Sequence, residues 1–326
     1  MPPESGGRAG RARHVLAGRE LTGWGPVVAF LLLAVVFTWL RPDTFLTWNT
    51  LYSILNNQAV LAIVALGLTV VLIAGQFDLS IGFTLTFAGA LSASLVTVLG
   101  LPVALAWVLV LVVGAIVGVA NGVLVTTFRV PALVATLAVG TILEGLTLFV
   151  TNGETIFRGL DDYLPIGRWT IGGIQASTIY LVIIAATLWA LLRYTPAGRY
   201  IHAVGASPAA SRVAGIRVDR YVVLAFVIAG VLAAFAGIIQ TARNGSATPT
   251  AGATFLLPAF ASAFLGSVTL RRGEFHVIGT VIGVYLIATG SLGFVLLGAP
   301  FYTQQLFAGF VLIVATAGTR FLRRNA

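Results

Sequence analysis

The sequence lacks several residue types on which many enzymes and metalloproteins depend. Among its 326 residues none is cysteine, only three are histidine, and all 19 basic residues are arginine. Without cysteine there is neither a disulfide nor a thiolate-bound metal. Without lysine there is no phosphate-binding loop of the G-x-x-x-x-G-K-[ST] type. His14, His202 and His276 lie far apart in sequence, so we expect no metal centre and no cofactor.

Charged residues are also scarce. They make up 9% of the chain, whereas a soluble domain averages roughly 25%. Hydrophobic residues make up 58%, and the mean hydropathy is +1.01. So much apolar surface cannot be hidden in one water-soluble core, and the composition predicts an all-α polytopic membrane protein. Hydrolase signatures such as Gly-x-Ser-x-Gly and His-Glu-x-x-His are absent, so we expect no enzyme. If a chain of this kind moves a solute uphill with ATP, another polypeptide must bind that ATP.

Apolar runs divide the chain into about ten candidate transmembrane helices. A bilayer core of about 30 Å requires about 20 helical residues. The candidate spans are 25–40, 51–74, 83–99, 103–125, 132–150, 177–192, 221–242, 255–270, 277–297 and 302–319. Spans two to five and seven to ten are compatible with two inverted halves around span six, an arrangement common in transporters.

Arginine placement indicates the topology. With the N-terminus in the cytoplasm, fifteen arginines fall inside and four fall outside, as the positive-inside rule requires. Both termini are therefore expected inside. The net charge of +9 comes from arginines beside the membrane spans, where they meet membrane lipid, and does not indicate a nucleic-acid partner. The predicted organisation is a disordered cytoplasmic tail at 1–22, one transmembrane domain at 23–322 and a cytoplasmic tail at 323–326. The four outside are Arg41, Arg158, Arg168 and Arg243.

Two segments between spans are longer than a tight turn. Residues 151–176 are polar and glycine-rich and should form an outer loop. Residues 193–220 carry five arginines and should form an inner loop. Within the inner loop, alanines behind Ser207 and Pro208 predict a short interfacial helix over 206–215.

The stretch AGQFDLSIGF, residues 74–83, places an acid in an otherwise apolar region. A lone carboxylate in hydrocarbon is costly, so Asp78 must face protein or a water-filled cavity. Gly75 and Gly82 loosen the backbone, and Ser80 could cap a helix starting near Ile81. One interpretation is a broken helix near 75–82 that lines a path. The other is a cytoplasmic turn with Asp78 as its cap.

Other polar residues interrupt the spans. Asn121 and Gly122 lie near the inner end of the fourth span. We favour the interpretation that the helix ends there in a turn, and the alternative is a role in a transport path. Glu144 lies inside an apolar span and needs a protein partner or water. The patch Asn56-Asn57-Gln58 begins the second span on the outer side, where it could meet a polar ligand or its carrier.

Five motifs in order resemble the permeases of bacterial monosaccharide ABC importers of the ribose type. These are LIAGQFDLSIG at 72–82, NGVLV at 121–125, RVPALVATLAVGTILEGL at 129–146, PAGRYIHAVGASPAASRVAGI at 196–216 and LGSVTLRRGEFHVIGTVIG at 265–283. The resemblance covers nearly the whole chain beyond about residue 45. The chain departs from the family pattern at several positions. Gln76 replaces a glycine, Phe77 replaces an isoleucine, and Glu144 stands where a basic residue is common. Arg271, Glu274 and His276 stand in a segment that is usually richer in glycine.

The resemblance implies a permease subunit in a bacterial inner membrane with three kinds of partner. These are a second permease subunit, a cytoplasmic ABC ATPase with two nucleotide-binding domains, and a periplasmic or lipid-anchored sugar-binding protein. Candidate path residues are Gly75, Asp78, Ser80, Gly82, Asn121 and Glu144. Candidate ATPase-coupling residues are Arg199, Gly205, Arg212, Gly215 and Arg217. Candidate docking residues for the binding protein are Glu154, Asp161 and Asp162.

Three alternatives remain open from the sequence. The chain could be a permease for branched-chain amino acids or nucleosides, whose families share this general architecture. An ion-coupled secondary transporter would need intramembrane acids, and only Asp78 and Glu144 qualify. A membrane enzyme or scaffold is the least favoured, because no catalytic constellation is present.

Overall fold

Helices form almost all of the regular structure in the computed structural model, which describes residues 25–269, 273–300 and 302–324. The predicted tail at 1–22 and the residues Arg271 and Arg272 lie outside the described residues. Fourteen α-helices and one short hairpin are present in the described part of the chain. The helices are α1 Gly25–Leu40, α2 Trp48–Asn57, α3 Ala59–Ile73, α4 Ile81–Thr97, α5 Val103–Thr126, α6 Ala132–Thr151, α7 Leu164–Arg168, α8 Ala176–Tyr194, α9 Pro196–Ala206, α10 Pro208–Val213, α11 Val218–Asn244, α12 Ala253–Val268, α13 Val277–Leu296 and α14 Tyr302–Arg324. The hairpin pairs β1 Thr170–Ile171 with β2 Ile174–Gln175, antiparallel.

Five of these helices, α5, α6, α8, α11 and α13, are long and apolar enough to cross a membrane. Helices α2 and α3 together are long enough for a sixth crossing and meet at a bend of 41°. The prediction of an all-α polytopic membrane protein is therefore confirmed. Each predicted span also coincides with a helix or with this bent pair. Four apolar helices are shorter than a full span: α1, α4, α12 and the Tyr302–Ala317 part of α14.

Helix α11 lies at the centre and packs against α3, α4 and α5. Glycine allows its backbone to approach α5 closely. A Cβ built on Gly114 of α5 would lie 2.6 Å from the Gly230 carbonyl oxygen of α11. A Cβ on Gly122 would lie 2.7 Å from the Val223 Cα. Such small-residue contacts are how membrane helices gain van der Waals packing.

Helix α8 separates the two ends of the bundle. Its 19 residues span about 28 Å at 1.5 Å per residue. We call the end that carries residues 151–176 the loop face, and it contains α7 and the hairpin. We call the end that carries residues 193–220 the basic face, and it contains α9 and α10.

The short helix predicted in the basic segment is present as α10. It begins at Pro208, and the Ser207 hydroxyl accepts a hydrogen bond of 3.2 Å from the Ala210 N–H. Residue 206, placed in that helix by the sequence, instead ends α9. Helix α9 was not predicted. It starts at Pro196, capped by the Thr195 hydroxyl, which accepts from the Gly198 N–H at 3.2 Å.

Candidate functional site at the break between α3 and α4

The chain leaves helical geometry between Ile73 and Ile81. Gly75 has a φ of +77°, in the left-handed region that disfavours other residues. The Gly75 N–H still bonds the Leu72 carbonyl at 3.0 Å, so α3 ends in a tight turn. Helix α4 then begins at the predicted residue, Ile81. The break near 75–82 is thus a seven-residue connection between two separate helices.

A buried polar cluster stabilises this connection. The Asp78 side chain is 2% exposed, and its Oδ1 accepts from the Ser80 N–H at 2.8 Å and from the Ser80 hydroxyl at 2.6 Å. The Asn121 amide donates to Ser80 Oγ at 2.8 Å. The predicted capping role of Ser80 is wrong, because its side chain makes no cap hydrogen bond to α4. Since Ser80 donates to the carboxylate, Asp78 holds the turn at the start of the helix.

Asn121 reaches this cluster from within α5. The favoured interpretation of Asn121 as a helix exit is wrong, because α5 continues to Thr126. The side chain is buried, and its Oδ1 has no hydrogen-bond partner among the described residues. Helix α6 also contributes, since Thr136 Oγ1 accepts from the Leu79 N–H at 3.0 Å. Helices α5 and α6 therefore both bond to the sequence Asp78-Leu79-Ser80, which leads directly into α4.

The first turn of α4 meets the first turn of α12. A Cβ on Gly82 would lie 2.6 Å from the Gly252 carbonyl oxygen. The Gly252 N–H donates to Thr86 Oγ1 at 2.7 Å. Gly82 therefore permits close packing, as its place in the motif suggested.

The other end of the connection touches the basic face. A Cβ on Gly75 would lie 3.4 Å from the Gly205 Cα of α9. Gly205 itself packs directly on the Ile73 carbonyl oxygen, with no room for a side chain. Of the candidate coupling residues, Gly205 is thus joined to the break. Arg199, Arg212, Gly215 and Arg217 are exposed on the same face.

Glu144 does not join this cluster. It lies in the middle of α6, where its side chain is exposed on the single chain beside exposed Thr141 and Gly145. A Cβ on Gly145 would meet nothing within 4 Å. The acidic residues Glu154, Asp161 and Asp162 are exposed at the loop face.

The loop face contains a network that sequence reasoning missed. Arg243 of α11 donates to the Asn56 carbonyl at 2.9 Å and also bonds the Asn57 side chain. Arg168 donates to the Arg243 carbonyl at 2.9 Å. The Asn56 side chain is hydrogen-bonded to the backbone of Gly173 and Gln175. These bonds connect the 151–176 segment to the bend between α2 and α3.

Tyr163 anchors the same segment. Its hydroxyl donates to the Ser92 carbonyl of α4 at 2.8 Å, and its side chain is fully buried. Burial raises the pKa of the Tyr163 phenol above its ordinary value, which favours the protonated donor form.

Comparison with known proteins identifies the family. Residues 50–316 match the family described as the branched-chain amino acid transport system/permease component. The chain belongs to this permease family. It is 36% identical over 309 residues to a ribose import permease protein of Haemophilus influenzae, covering 94% of this chain and 95% of the relative. It is also 36% identical to the ribose import permease protein of Bacillus subtilis, covering 89% and 90%. A D-allose transport system permease protein of Escherichia coli is 30% identical, covering 92% and 93%. No solved structure matches the chain.

Proposed function

We propose that the chain is the membrane permease subunit of an ABC importer for a neutral monosaccharide. The observation that carries this proposal is the 36% identity to ribose import permeases along almost the entire chain. Relatives for fructose and galactose belong to the same set, which favours a sugar over a branched-chain amino acid or a nucleoside. ATP hydrolysis belongs to a separate ATPase.

Ten spans with both termini in the cytoplasm are the topology that we infer for the inner membrane. The four short apolar helices complete the count when each crosses with its flanking residues. The exposed aromatic residues Trp39 and Trp48 lie near the loop-face ends of α1 and α2, where interfacial tryptophans are enriched. The basic face would then be cytoplasmic and the loop face periplasmic.

The packing supports two inverted halves, α2–α6 and α11–α14. In the first half α4 packs on α5 and α6, and in the second α12 packs on α13 and α14. Helix α11 packs on α4 and α5, while α3 packs on α12 and α13. The equivalent pairs α3–α11 and α4–α12 also touch, through Gly67–Ala229 and Gly82–Gly252. Equivalent helices meet in this way around a two-fold axis in the membrane.

The path residues divide into two groups. Gly75, Asp78, Ser80, Gly82 and Asn121 shape the broken segment beside α12. Glu144 belongs to a surface of α6 that cannot face lipid, because an exposed carboxylate at mid-membrane is costly. We assign that surface to a water-filled path beside the second permease subunit.

The two faces suit two different partners. On the basic face, α9 and α10 with their exposed arginines would dock into the ATPase, which has two nucleotide-binding domains. On the loop face, exposed Glu154, Asp161 and Asp162 would receive a periplasmic or lipid-anchored sugar-binding protein. Because the spans offer few convergent polar groups, sugar selection would rest mainly with that protein.

Gentle affinity purification from the native membrane, followed by mass spectrometry, tests the assembly. We expect an ATPase with tandem nucleotide-binding domains and a sugar-binding protein to co-purify. Uptake of labelled ribose, allose, fructose and galactose in cells with and without that ATPase then tests the function. Sugar uptake that persists without the ATPase, or uptake of leucine alone, would refute the proposal.

A further inference from the structure

A cleft of about 860 Å³ opens on the basic face, and its lining includes the path candidate Gly75 and the coupling candidate Gly205, to neither of which a ligand has been assigned. It lies between the end of α3, the end of α8, helix α9 and the segment 273–278. Its volume is within the roughly 300–1,000 Å³ of small-molecule sites. The cleft is therefore large enough for a monosaccharide.

Aromatic rings form one wall of the cleft. Phe77, which is 39% exposed, stacks on Phe260 with ring centroids 6.4 Å apart and planes 23° apart. Phe260 stacks on Phe264 at 6.5 Å, and Phe264 meets Phe275 edge-on at 5.3 Å. Three of these rings, Phe77, Phe264 and Phe275, line the cleft. A rigid aromatic wall of this kind offers an apolar surface to the C–H groups of a sugar ring.

Polar side chains line the remainder. Gln76, His202, Arg193 and Glu274 border the same cleft. Among the described lining residues, Arg193 and Glu274 carry opposite charges. An amide, an imidazole, a guanidinium and a carboxylate together provide donors and acceptors for hydroxyl groups. A few convergent polar groups beside aromatic surfaces are typical of specific ligand sites.

Two adjacent residues of the motif at 72–82, Gln76 and Phe77, line the cleft. They supply groups suited to a polyol: an amide in one case and an exposed ring in the other. They also lie directly beside Gly75, which contacts Gly205 of α9.

We propose that this cleft is a binding site for a neutral monosaccharide at the cytoplasmic end of a single permease subunit, with the ring packed on Phe77 and a hydroxyl bonded by Gln76. The identity of the ligand as a sugar rests on the proposed function. The site is entered from the basic face and lies between the broken segment and α9.

Thiol protection tests the site, because the chain has no native cysteine. Ala206 lines the cleft, and its Ala206→Cys variant would be labelled with a maleimide in nanodiscs without ATPase or binding protein. The probes are ribose, allose, fructose and galactose, tested one at a time. At a concentration four times the Kd, a bound sugar should slow labelling about fivefold. Ala209→Cys, on exposed α10 and outside the cleft, is the matched control and should be unaffected.

The variant Phe77→Ile should weaken protection of the Ala206→Cys thiol by about five- to tenfold in Kd. Phe128→Ile, an exposed phenylalanine outside the cleft, should leave it unchanged. No protection by any of the four sugars, or undiminished protection in the Phe77→Ile background, overturns the inference. Sugar uptake in whole cells tests the proposed function independently of the cleft. Uptake without protection of the thiol would refute only the binding site in the cleft, whereas absence of uptake would refute the importer assignment.

Discussion

Gly205 of α9 lies directly against the Ile73 carbonyl oxygen at the end of α3, without space for a Cβ between them. The contact joins the basic segment 193–220 to the break that carries Asp78. A displacement of α9 therefore acts on the backbone of the broken segment with no intervening side chain. The path candidate Gly75 lies against the same residue, since a Cβ built on it would be 3.4 Å from the Gly205 Cα.

The substitution Gly205→Ala tests that contact. The added methyl must push α9 away from Ile73, which we expect to cost about 1–3 kcal/mol of stability. We expect sugar uptake to fall while the ATPase still co-purifies, because α10 and its arginines are unchanged. Gly309→Ala on α14, where a Cβ would meet nothing within 4 Å, is the control. Normal uptake by Gly205→Ala at equal protein level would exclude this contact as a coupling element.

Two substitutions at Asp78 separate its charge from its hydrogen bonds. In Asp78→Ala the Ser80 N–H and hydroxyl lose their acceptor, at about 1–3 kcal/mol for each buried unpaired group. We expect Asp78→Ala to abolish uptake while insertion continues. Asp78→Asn keeps an oxygen in place, so it should retain uptake and thermal stability nearer to the wild type. Equal loss of uptake in both variants, at normal thermal stability, would mean that the negative charge itself is needed.

Solvent access at Glu144 can be measured with a single introduced cysteine. A maleimide reacts with the thiolate, which forms only where water reaches the thiol. In the assembled transporter, Glu144→Cys should therefore be labelled by a water-soluble maleimide. Ile142→Cys, exposed on a different side of α6 and expected to face lipid, should be labelled much more slowly. Labelling of Ile142→Cys at the same rate would contradict a water-filled path at Glu144.

Charge reversal tests the proposed ATPase surface. The double variant Arg212→Glu and Arg217→Glu places two acids on the exposed part of the basic face. We expect it to reduce co-purification of the ATPase, with a stronger effect at low salt because surface charges are screened. Arg158→Glu on the loop face is the control for a change of net charge. If the double variant co-purified with as much ATPase as the wild type, these arginines would not be part of the ATPase interface.

Much of the fold follows from the sequence because hydropathy alone specifies which segments are apolar. The helix α4 begins at the predicted Ile81, since Gly75 and Asp78 interrupt the apolar run before it. Helix α9 was missed because its sequence PAGRYIHAVGA mixes polar residues and glycines, although Thr195 and Pro196 offer the same start signal as Ser207 and Pro208. Its stability comes from packing on α8 and α11, which no local pattern reveals.

The contents of the candidate site were less predictable than its position. Asn121 bonds Ser80 across 41 residues, and Arg243 bonds Asn57 across 186 residues. Such pairs depend on how helices pack and not on local spacing. The sequence also assigned the cap of α4 to Ser80, because serine commonly caps helices, whereas the buried carboxylate two residues earlier takes the hydrogen bonds.

Helix α3 is buried at every one of its 15 residues, and both of its ends are held. At one end Arg243 fixes the bend that precedes it, and at the other end Gly205 rests on its last carbonyl. A buried helix of this length behaves as a stiff rod of about 22 Å. A displacement of α3 at the loop face would therefore also displace its other end at the basic face. If the loop face receives a sugar-binding protein, as we propose, a signal of its arrival would reach the basic face through this one helix and not through the sugar.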